Sequence, residues 1–367
     1  MKKSVEVTLA FIRAGLWETE VRLLPFGEID YQQVYRFAQE QAVLGLVASG
    51  LEHVVDVKVP KEDALCFVGD ALQLEQRNIA MNYFIGVLMD KMKTAGIYAL
   101  LVKGQGIAQC YEKPLWRACG DVDLLLNEDN YEKAKSFLVP LAASVDTEEE
   151  GPLHQAMIID PWEVELHGTL HSGLYPKFDR VLDDVQKTVF EERRVRVWQN
   201  GATDVILPAV DEDIIFVFAH ILQHFFKGGI GLRQICDWCR LLWTYKASID
   251  RDLLMGRLNS MGLFTEWKAF AFLGVNALGM PEDAMPFYSS SIKWHHKAEK
   301  ILDFIIETGN FGHNRDNSYY EKKTLIGKKI YSFWRHTSDS IKHFFIFPLD
   351  SLRIWWNMVK TGLRAII

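Results

Sequence analysis

Residues 100–106 read Leu-Leu-Val-Lys-Gly-Gln-Gly, and residues 121–126 read Asp-Val-Asp-Leu-Leu-Leu. This layout predicts a buried strand that ends in a glycine-rich turn, then a short helix, then a second strand that begins with two carboxylates. Side chains alternate between the two faces of a strand, so Asp121 and Asp123 share one face. Like charges this close repel each other, and a divalent cation relieves the repulsion. The stretch therefore predicts a metal site on a small sheet.

A third carboxylate is expected on a neighbouring strand, because two-metal phosphoryl transfer uses carboxylates that converge on the metal ions. The stretch Trp162–His167 reads Trp-Glu-Val-Glu-Leu-His. Alternation places Glu163, Glu165 and His167 on one face and the apolar residues between them on the other. We predict that Glu165, centred in Val-Glu-Leu, is the third carboxylate, and Glu163 is the reserve candidate.

The glycine-rich turn is a candidate phosphate-binding site. Backbone N–H groups between a strand and a helix bind anions, and the dipole of the following helix adds to the attraction. Lys103, Gly104 and Gln105 occupy this turn, and Arg117 precedes the aspartate pair. Lys103 adds a point charge, and Arg117 offers a bidentate contact to phosphate oxygens. Taken alone, Asp-x-Asp is more often a solvated turn and Gly-x-Gly a tight corner.

Taken together, these motifs are similar to those of a known family. The chain carries Lys103-Gly104, then Arg117 four residues before the aspartate pair, and later the strand Val164–His167. This order resembles the polymerase-beta-like nucleotidyltransferase superfamily and, within it, a bacterial family of uncharacterised nucleotidyltransferases. The resemblance covers about residues 95–245. It includes four later positions, which are His220, His224, Arg233 and Asp237.

The resemblance implies metal-dependent transfer of a nucleoside monophosphate from a nucleoside triphosphate (NTP) to the hydroxyl group of an unknown acceptor. It implies Mg²⁺ or Mn²⁺ held by Asp121, Asp123 and Glu165, with Lys103 and His167 among the residues that bind the NTP. The superfamily also contains members that have lost catalysis. A catalytically inactive nucleotide- or partner-binding module of the same fold is therefore the alternative.

The apolar periodicity predicts an α+β protein. Spacings of three and four residues predict helices in both end regions, including helices over residues 251–273 and 292–308, and one over 128–138 within the core. Short apolar runs in the middle predict strands, two of which are separated by a turn at Asp160-Pro161. We therefore expect a small mixed sheet with helical regions on both sides, and the resemblance implies that this sheet is a nucleotidyltransferase core. The predicted divisions are an N-terminal helical region 1–94, the core 95–172, a helical domain 173–320 and a basic aromatic tail 321–367.

Composition narrows the class of protein. The 367 residues carry a net charge of −7, which argues against a general nucleic-acid coat protein because such proteins need a cationic face. The five cysteines are too few and odd in number for a disulfide framework, so we expect reduced thiols and a cytoplasmic protein. No signal peptide is visible, and no run of about 18 apolar residues predicts a transmembrane segment.

Two pairs of metal-ligand residues fall in the helical domain. His220 and His224 lie four residues apart on one predicted helix, and the next helix contains Cys236-Asp-Trp-Cys239. These are zinc-ligand types, so a zinc-stabilised helical interaction protein is a third hypothesis. We favour packing or hydrogen bonding, because both pairs lie in apolar helices. Arg233 and Asp237 are spaced for an ion pair on one helix face.

The C-terminal tail combines aromatic residues with positive charge. From Lys322 to the end, nine lysine and arginine residues stand against Asp339 and Asp350. This composition fits an amphipathic helix on an anionic membrane, which would make the protein peripheral to the inner membrane, or a site for another anionic partner. We favour the simpler hypothesis of a helical cap whose aromatic residues are buried against the protein.

Overall fold

The computed structural model describes residues 2–146, 153–314 and 325–364. Helices dominate these ranges, and a small mixed five-stranded sheet lies between them. The expected fold class, an α+β core with helices on both sides, is confirmed. The division into four regions stays a prediction.

Four helices begin the chain, and their ends follow simple electrostatic and capping rules. Asp30 accepts a hydrogen bond from the backbone N–H of Gln33 and so caps the second helix. The long fourth helix follows Pro60 and has Glu62 and Asp63 in its first turn, which matches the helix dipole. The four helices are α1 Lys2–Trp17, α2 Tyr31–Glu40, α3 Leu44–Leu51 and α4 Lys61–Thr94.

The sheet comes from the middle of the chain. Its strands and the helices between them are β1 Leu100–Val102, α5 Gly104–Ala108, β2 Asp121–Leu125, α6 Glu128–Leu138, β3 Ser144–Val145, β4 His154–Ile159 and β5 Trp162–His167. The strand order is β1-β2-β5-β4-β3. Strand β2 is antiparallel to β1 and parallel to β5. The short strand β3 was not predicted, because two exposed residues leave no periodicity to detect.

The rest of the chain is mainly helical. Its elements are α7 Pro176–Glu191, β6 Val195–Asn200, β7 Thr203–Pro208, α8 Val210–Lys227, α9 Leu232–Thr244, α10 Arg251–Met261, α11 Phe264–Asn276, α12 Ile292–Thr308, α13 Leu325–Phe344 and α14 Pro348–Arg364. Strands β6 and β7 form an antiparallel hairpin. The hairpin packs closely on α5, since a Cβ at Gly106 would lie 2.9 Å from Leu207 Cδ2.

The prediction of one continuous helix over residues 251–273 is wrong, because Gly262 separates α10 from α11. Gly262 has a φ of 81°, and its N–H donates to the carbonyls of Leu258 and Asn259. Glycine adopts this left-handed conformation without a steric penalty. Leu258 and Leu263 are both buried, so the apolar spacing continues across the break and conceals it.

Two hydrophobic clusters enclose the sheet. Val122 and Leu124 of β2 and Val164 of β5 belong to the cluster that includes residues of α4 and α6. Because side chains alternate along β2, Asp121 and Asp123 lie on the opposite face and line a cleft beside α8 and α9. The pattern that buries one face of the sheet therefore presents the aspartate pair on the other.

The C-terminal helices α13 and α14 bury one side and expose the other. His343 and Phe347 are buried against Phe225, with ring centroids 4.5 and 6.1 Å away. Trp334 and Phe345 are 66% and 67% exposed, so the expected burial of the tail aromatics holds only in part. None of the described helices has the length and apolar character needed to cross a membrane. Binding of the tail to a membrane surface or another anionic partner stays a prediction.

A buried acidic pair joins α11 to α14. Glu266 is fully buried, and its burial and the nearby carboxylate of Asp350 raise the pKa of Glu266 well above its ordinary value, against the opposing effect of Lys297. The folded protein therefore holds this proton more tightly than the unfolded chain. Its stabilising contribution is complete below the ordinary glutamate pKa and is lost as the pH rises toward the raised value.

Glu266→Gln is expected to raise the free energy of unfolding at pH 7 by about 1 kcal/mol, because the neutral amide needs no proton uptake on folding and can donate a hydrogen bond to Asp350. Chemical denaturation at several pH values from about 5 to 8 measures both the gain and the flatter pH profile. Glu282→Gln, at an exposed position, is the matched control and should change neither. A less stable E266Q protein with the wild-type pH profile would contradict the prediction.

Candidate active site

The parallel pairing of β2 with β5 is the central feature of the site. Asp121 lies opposite Glu163 in this register, and Asp123 lies opposite Glu165. Because side chains alternate along both strands, these carboxylates occupy one face of the sheet. Asp123 is 2% exposed, whereas Glu163 is exposed. The strand pairing therefore brings the predicted third carboxylate, Glu165, beside the buried aspartate.

Lys103 connects the glycine-rich turn to the aspartate pair. Its Nζ lies 2.7 Å from Asp123 Oδ1. Lys103 has a φ of 57°, a backbone conformation that costs a residue other than glycine about 1–3 kcal/mol. Gly104 has a φ of 39°, and a Cβ there would lie 3.2 Å from Cys119 Sγ. The Lys-Gly pair thus makes a tight turn that holds the ammonium group of Lys103 against the carboxylates.

Two histidines complete this face of the sheet. His167 Nε2 lies 2.8 Å from Asp123 Oδ1 and 3.3 Å from Glu165 Oε2. His154 lies opposite His167 in the β4–β5 register, and its Nε2 is 3.5 Å from the same Glu165 oxygen. His167 was predicted from the sequence as a site residue, whereas His154 was not. Counting outward from the expected turn at Asp160-Pro161 would have paired the two histidines.

Repulsion between the two aspartates and attraction between carboxylates and cations both shift pKa values in this site. The charge of Asp123 and then burial raise the pKa of Asp121. Burial opposes the charge on Lys103, but the three nearby carboxylates outweigh it and raise the pKa of Lys103. Burial also opposes the charge on Glu165, but hydrogen bonds from the two histidines hold the pKa of Glu165 well below its ordinary value. The site therefore favours an added cation.

Helices α8 and α9 form the opposite wall of a narrow cleft over the aspartate pair. Arg233 of α9 lines the cleft, and its Nη1 donates to the carbonyl of Ala118 at 2.8 Å. Arg117 donates from Nε and Nη2 to the two oxygens of Asp237 at 3.0 and 2.6 Å, and the hydroxyl of Tyr111 donates to Asp237 Oδ1 at 2.7 Å. Asp237 thus forms its ion pair with Arg117. The spacing in the sequence had suggested a pair with Arg233 instead.

The structure brings most of the predicted site residues together and turns one of them, Gln105, away. Gln105 is turned away from the cleft, because its side-chain amide donates to Asn78 Oδ1 at 2.8 Å. Arg117 is held by Asp237, and only its Nη1 has no hydrogen-bond partner among the described residues. The predicted residues that share the site are Lys103, Gly104, Arg117, Asp121, Asp123, Glu165 and His167.

The geometry of the two pairs on α8 and α9 gives the zinc hypothesis no support. The rings of His220 and His224 contact each other, with centroids 4.3 Å apart, and burial lowers the pKa of His224 to about 4. Cys236 and Cys239 are fully buried, and burial raises the pKa of both thiols. Within residues 2–146, 153–314 and 325–364, no cluster of three metal-ligand residues includes any of these four. The two cysteines are buried in the helix pair, whereas His220 lines the cleft over the aspartate pair.

A mixed sheet that presents three carboxylates beneath a Lys-Gly turn fits the class of α+β proteins with a nucleotidyltransferase core. Residues 27–273 match the family described as "Uncharacterised nucleotidyltransferase", and the chain belongs to this family. Comparisons with curated proteins and with solved structures give no match. The matched residues include α2 to α4 and most of α11, so helices on both sides of the sheet belong to the family unit.

Proposed function

We propose that the protein is a metal-dependent nucleotidyltransferase of the polymerase-beta type, which moves a nucleoside monophosphate from an NTP to an acceptor hydroxyl group. The main support is the register of β2 and β5, which puts Asp121, Asp123 and Glu165 on one face beside the Lys103-Gly104 turn. In this reaction the acceptor oxygen bonds to the α-phosphorus, the bond to pyrophosphate breaks, and the hydroxyl proton is released.

The residues on this face fit a hard divalent cation such as Mg²⁺ or Mn²⁺. They offer carboxylate oxygens, and the repulsion by Asp123 that raises the pKa of Asp121 is the kind that a cation relieves. Asp121, Asp123 and Glu165 would hold the ion. When bound, such an ion neutralises charge on the phosphates and makes the acceptor hydroxyl more acidic.

The other residues of the site orient Asp123 and provide donors for the phosphates. Lys103 contacts Asp123 Oδ1 at 2.7 Å, and His167 contacts the same oxygen from β5, so the aspartate side chain is held in one position. Arg233 and the Nη1 of Arg117 provide positive charge in the cleft. Phosphate oxygens are the acceptors that such donors prefer.

The cleft limits which part of an NTP is enclosed. Its enclosed volume is about 40 Å³, which is room for an ion and a few water molecules. We therefore place the reacting phosphates beside Lys103 and Asp121 and the nucleoside on the open side of the cleft. The acceptor must also approach from that side.

One contact favours a second function. Lys103 Nζ lies 2.7 Å from Asp123, where it supplies the positive charge that a metal ion supplies in an active enzyme. A protein in which the lysine takes the place of the ion would bind a nucleotide without transferring it. Such a module binds NTP equally well with and without Mg²⁺.

Glu165→Gln is expected to weaken Mg²⁺-dependent NTP binding by about tenfold or more, because it removes a charged ligand from the ion that contacts the triphosphate. Glu163→Gln is the matched control on the same strand and face, and it should stay within about twofold of wild type. Calorimetric titration of full-length protein with NTP, with and without Mg²⁺, measures both. Equal losses of NTP affinity in the two variants would show that Glu165 is not part of the site. NTP binding that is independent of Mg²⁺ would support the inactive module.

A further inference from the structure

We propose that His154, Glu165 and His167 form a binding site for a first-row transition metal ion such as Mn²⁺, Co²⁺ or Zn²⁺. Strands β4 and β5 pair His154 with His167 directly, and Glu165 lies two residues before His167 on the same face. The ligand atoms of the three side chains all lie within 4.8 Å of one another. The site shares Glu165 with the proposed nucleotidyl-transfer site, and its His167 also contacts Asp123 of that site.

The distances suit a metal ion without rearrangement of the strands. The two histidine Nε2 atoms lie 3.5 and 3.3 Å from Glu165 Oε2. Ligands about 2.1 Å from a common ion are separated by about 3.0–3.4 Å in octahedral or tetrahedral geometry. The side chains of His154 and Glu165 are 29% and 22% exposed, so an ion can reach them from solvent.

The ligand types decide which metal is bound. Mg²⁺ prefers oxygen ligands, whereas imidazole nitrogens suit manganese, iron, cobalt and zinc. Two histidines and one carboxylate on one face leave coordination positions open for water or a phosphate oxygen. His167 Nε2 also lies 2.8 Å from Asp123 Oδ1. Metal binding replaces that hydrogen bond, and Asp123 keeps its ion pair with Lys103.

A second cluster in the described residues provides an internal control. His295, His296 and Glu299 on α12 also lie within ligand distance of one another. Their side chains are 44%, 66% and 58% exposed, and two of the three are adjacent in sequence, so they project from the helix in different directions. This surface cluster tests whether any metal uptake is adventitious.

The test is titration of metal-stripped full-length protein with Co²⁺, followed by visible absorption, and with Zn²⁺ and Mg²⁺, followed by calorimetry. We expect one equivalent of Co²⁺ to give the intense visible bands of a nitrogen-ligated ion of low coordination number, which excess Mg²⁺ does not displace. His154→Gln and His167→Gln are expected to weaken binding about 100-fold. The double variant H295Q/H296Q should bind as wild type.

Several results would overturn the proposal. In wild-type protein, such results are the absence of the visible bands or the displacement of Co²⁺ by Mg²⁺. In the variants, they are a folded H154Q protein that binds Co²⁺ as wild type does, or loss of Co²⁺ binding in H295Q/H296Q. Because the wild-type spectrum and the Mg²⁺ competition need no variant, misfolding of H154Q leaves the test decisive. Asp121→Asn separates the two sites, since it should keep Co²⁺ binding and lose Mg²⁺-dependent NTP binding. Wild-type protein that shows only one of these two binding properties identifies which proposal fails.

Discussion

Asp123→Asn is expected to reduce nucleotidyl transfer by about a thousandfold while the protein stays folded. The substitution keeps the shape of the side chain and removes its charge, so the proposed ion loses a ligand and the triphosphate loses its main electrostatic partner. Asp123 is also the residue on which Lys103 and His167 converge, at 2.7 and 2.8 Å. Release of labelled pyrophosphate from NTP in the presence of Mg²⁺ and a cell extract measures the loss.

The control for this variant is Asp204→Asn, which changes an exposed aspartate on β7. It should transfer as wild type does, because an isolated surface charge contributes little to a distant site. Circular dichroism and thermal melting of both variants establish that they are folded. Full activity in a folded D123N protein would exclude the proposed site.

Asp237→Leu is expected to lower the free energy of unfolding by about 3–5 kcal/mol, because it leaves the guanidinium of Arg117 buried without its partner. Asp237 and Arg117 are 4% and 6% exposed, and two hydrogen bonds join them. Together they connect α9 to the loop that precedes β2. Urea denaturation followed by tryptophan fluorescence measures the change.

Two further variants distinguish the effect of an unpaired buried charge from the effect of lost packing. Tyr111→Phe removes one hydrogen bond to Asp237 and should cost about 1–2 kcal/mol. The double variant Arg117→Met/Asp237→Leu should recover much of the stability lost by D237L, because it leaves no unpaired buried charge. If the double variant is less stable than D237L, the ion pair is not the source of the effect.

The carboxylate pair was predictable because its evidence is local. Asp121 and Asp123 alternate with the buried Val122 and Leu124, and that alternation alone assigns a strand and a face. The same holds for α6 and α12, whose observed bounds equal the predicted ones. Short-range patterns carry this information because helices and strands repeat over a few residues.

The partners of the site were harder to predict because they depend on long-range packing. Arg117 and Asp237 are 120 residues apart in sequence, and no periodicity links them. The spacing of Arg233 and Asp237 instead suggested a local pair, but helix α9 turns Asp237 toward Arg117. His154 entered the site only through the β4–β5 register. Tertiary packing determines such contacts, and the local pattern of one sequence does not reveal that packing.

The most direct test of the proposed function is to label the NTP separately in its α- and γ-phosphates and incubate it with the protein, Mg²⁺ and a cell extract. We predict that the α label becomes attached to an acceptor, that the γ label leaves in pyrophosphate, and that the double variant D121N/D123N transfers neither. Transfer of the γ label would indicate a kinase. Equal α-label transfer by the double variant, or no transfer from any NTP, would contradict nucleotidyl transfer at the Asp121/Asp123 site.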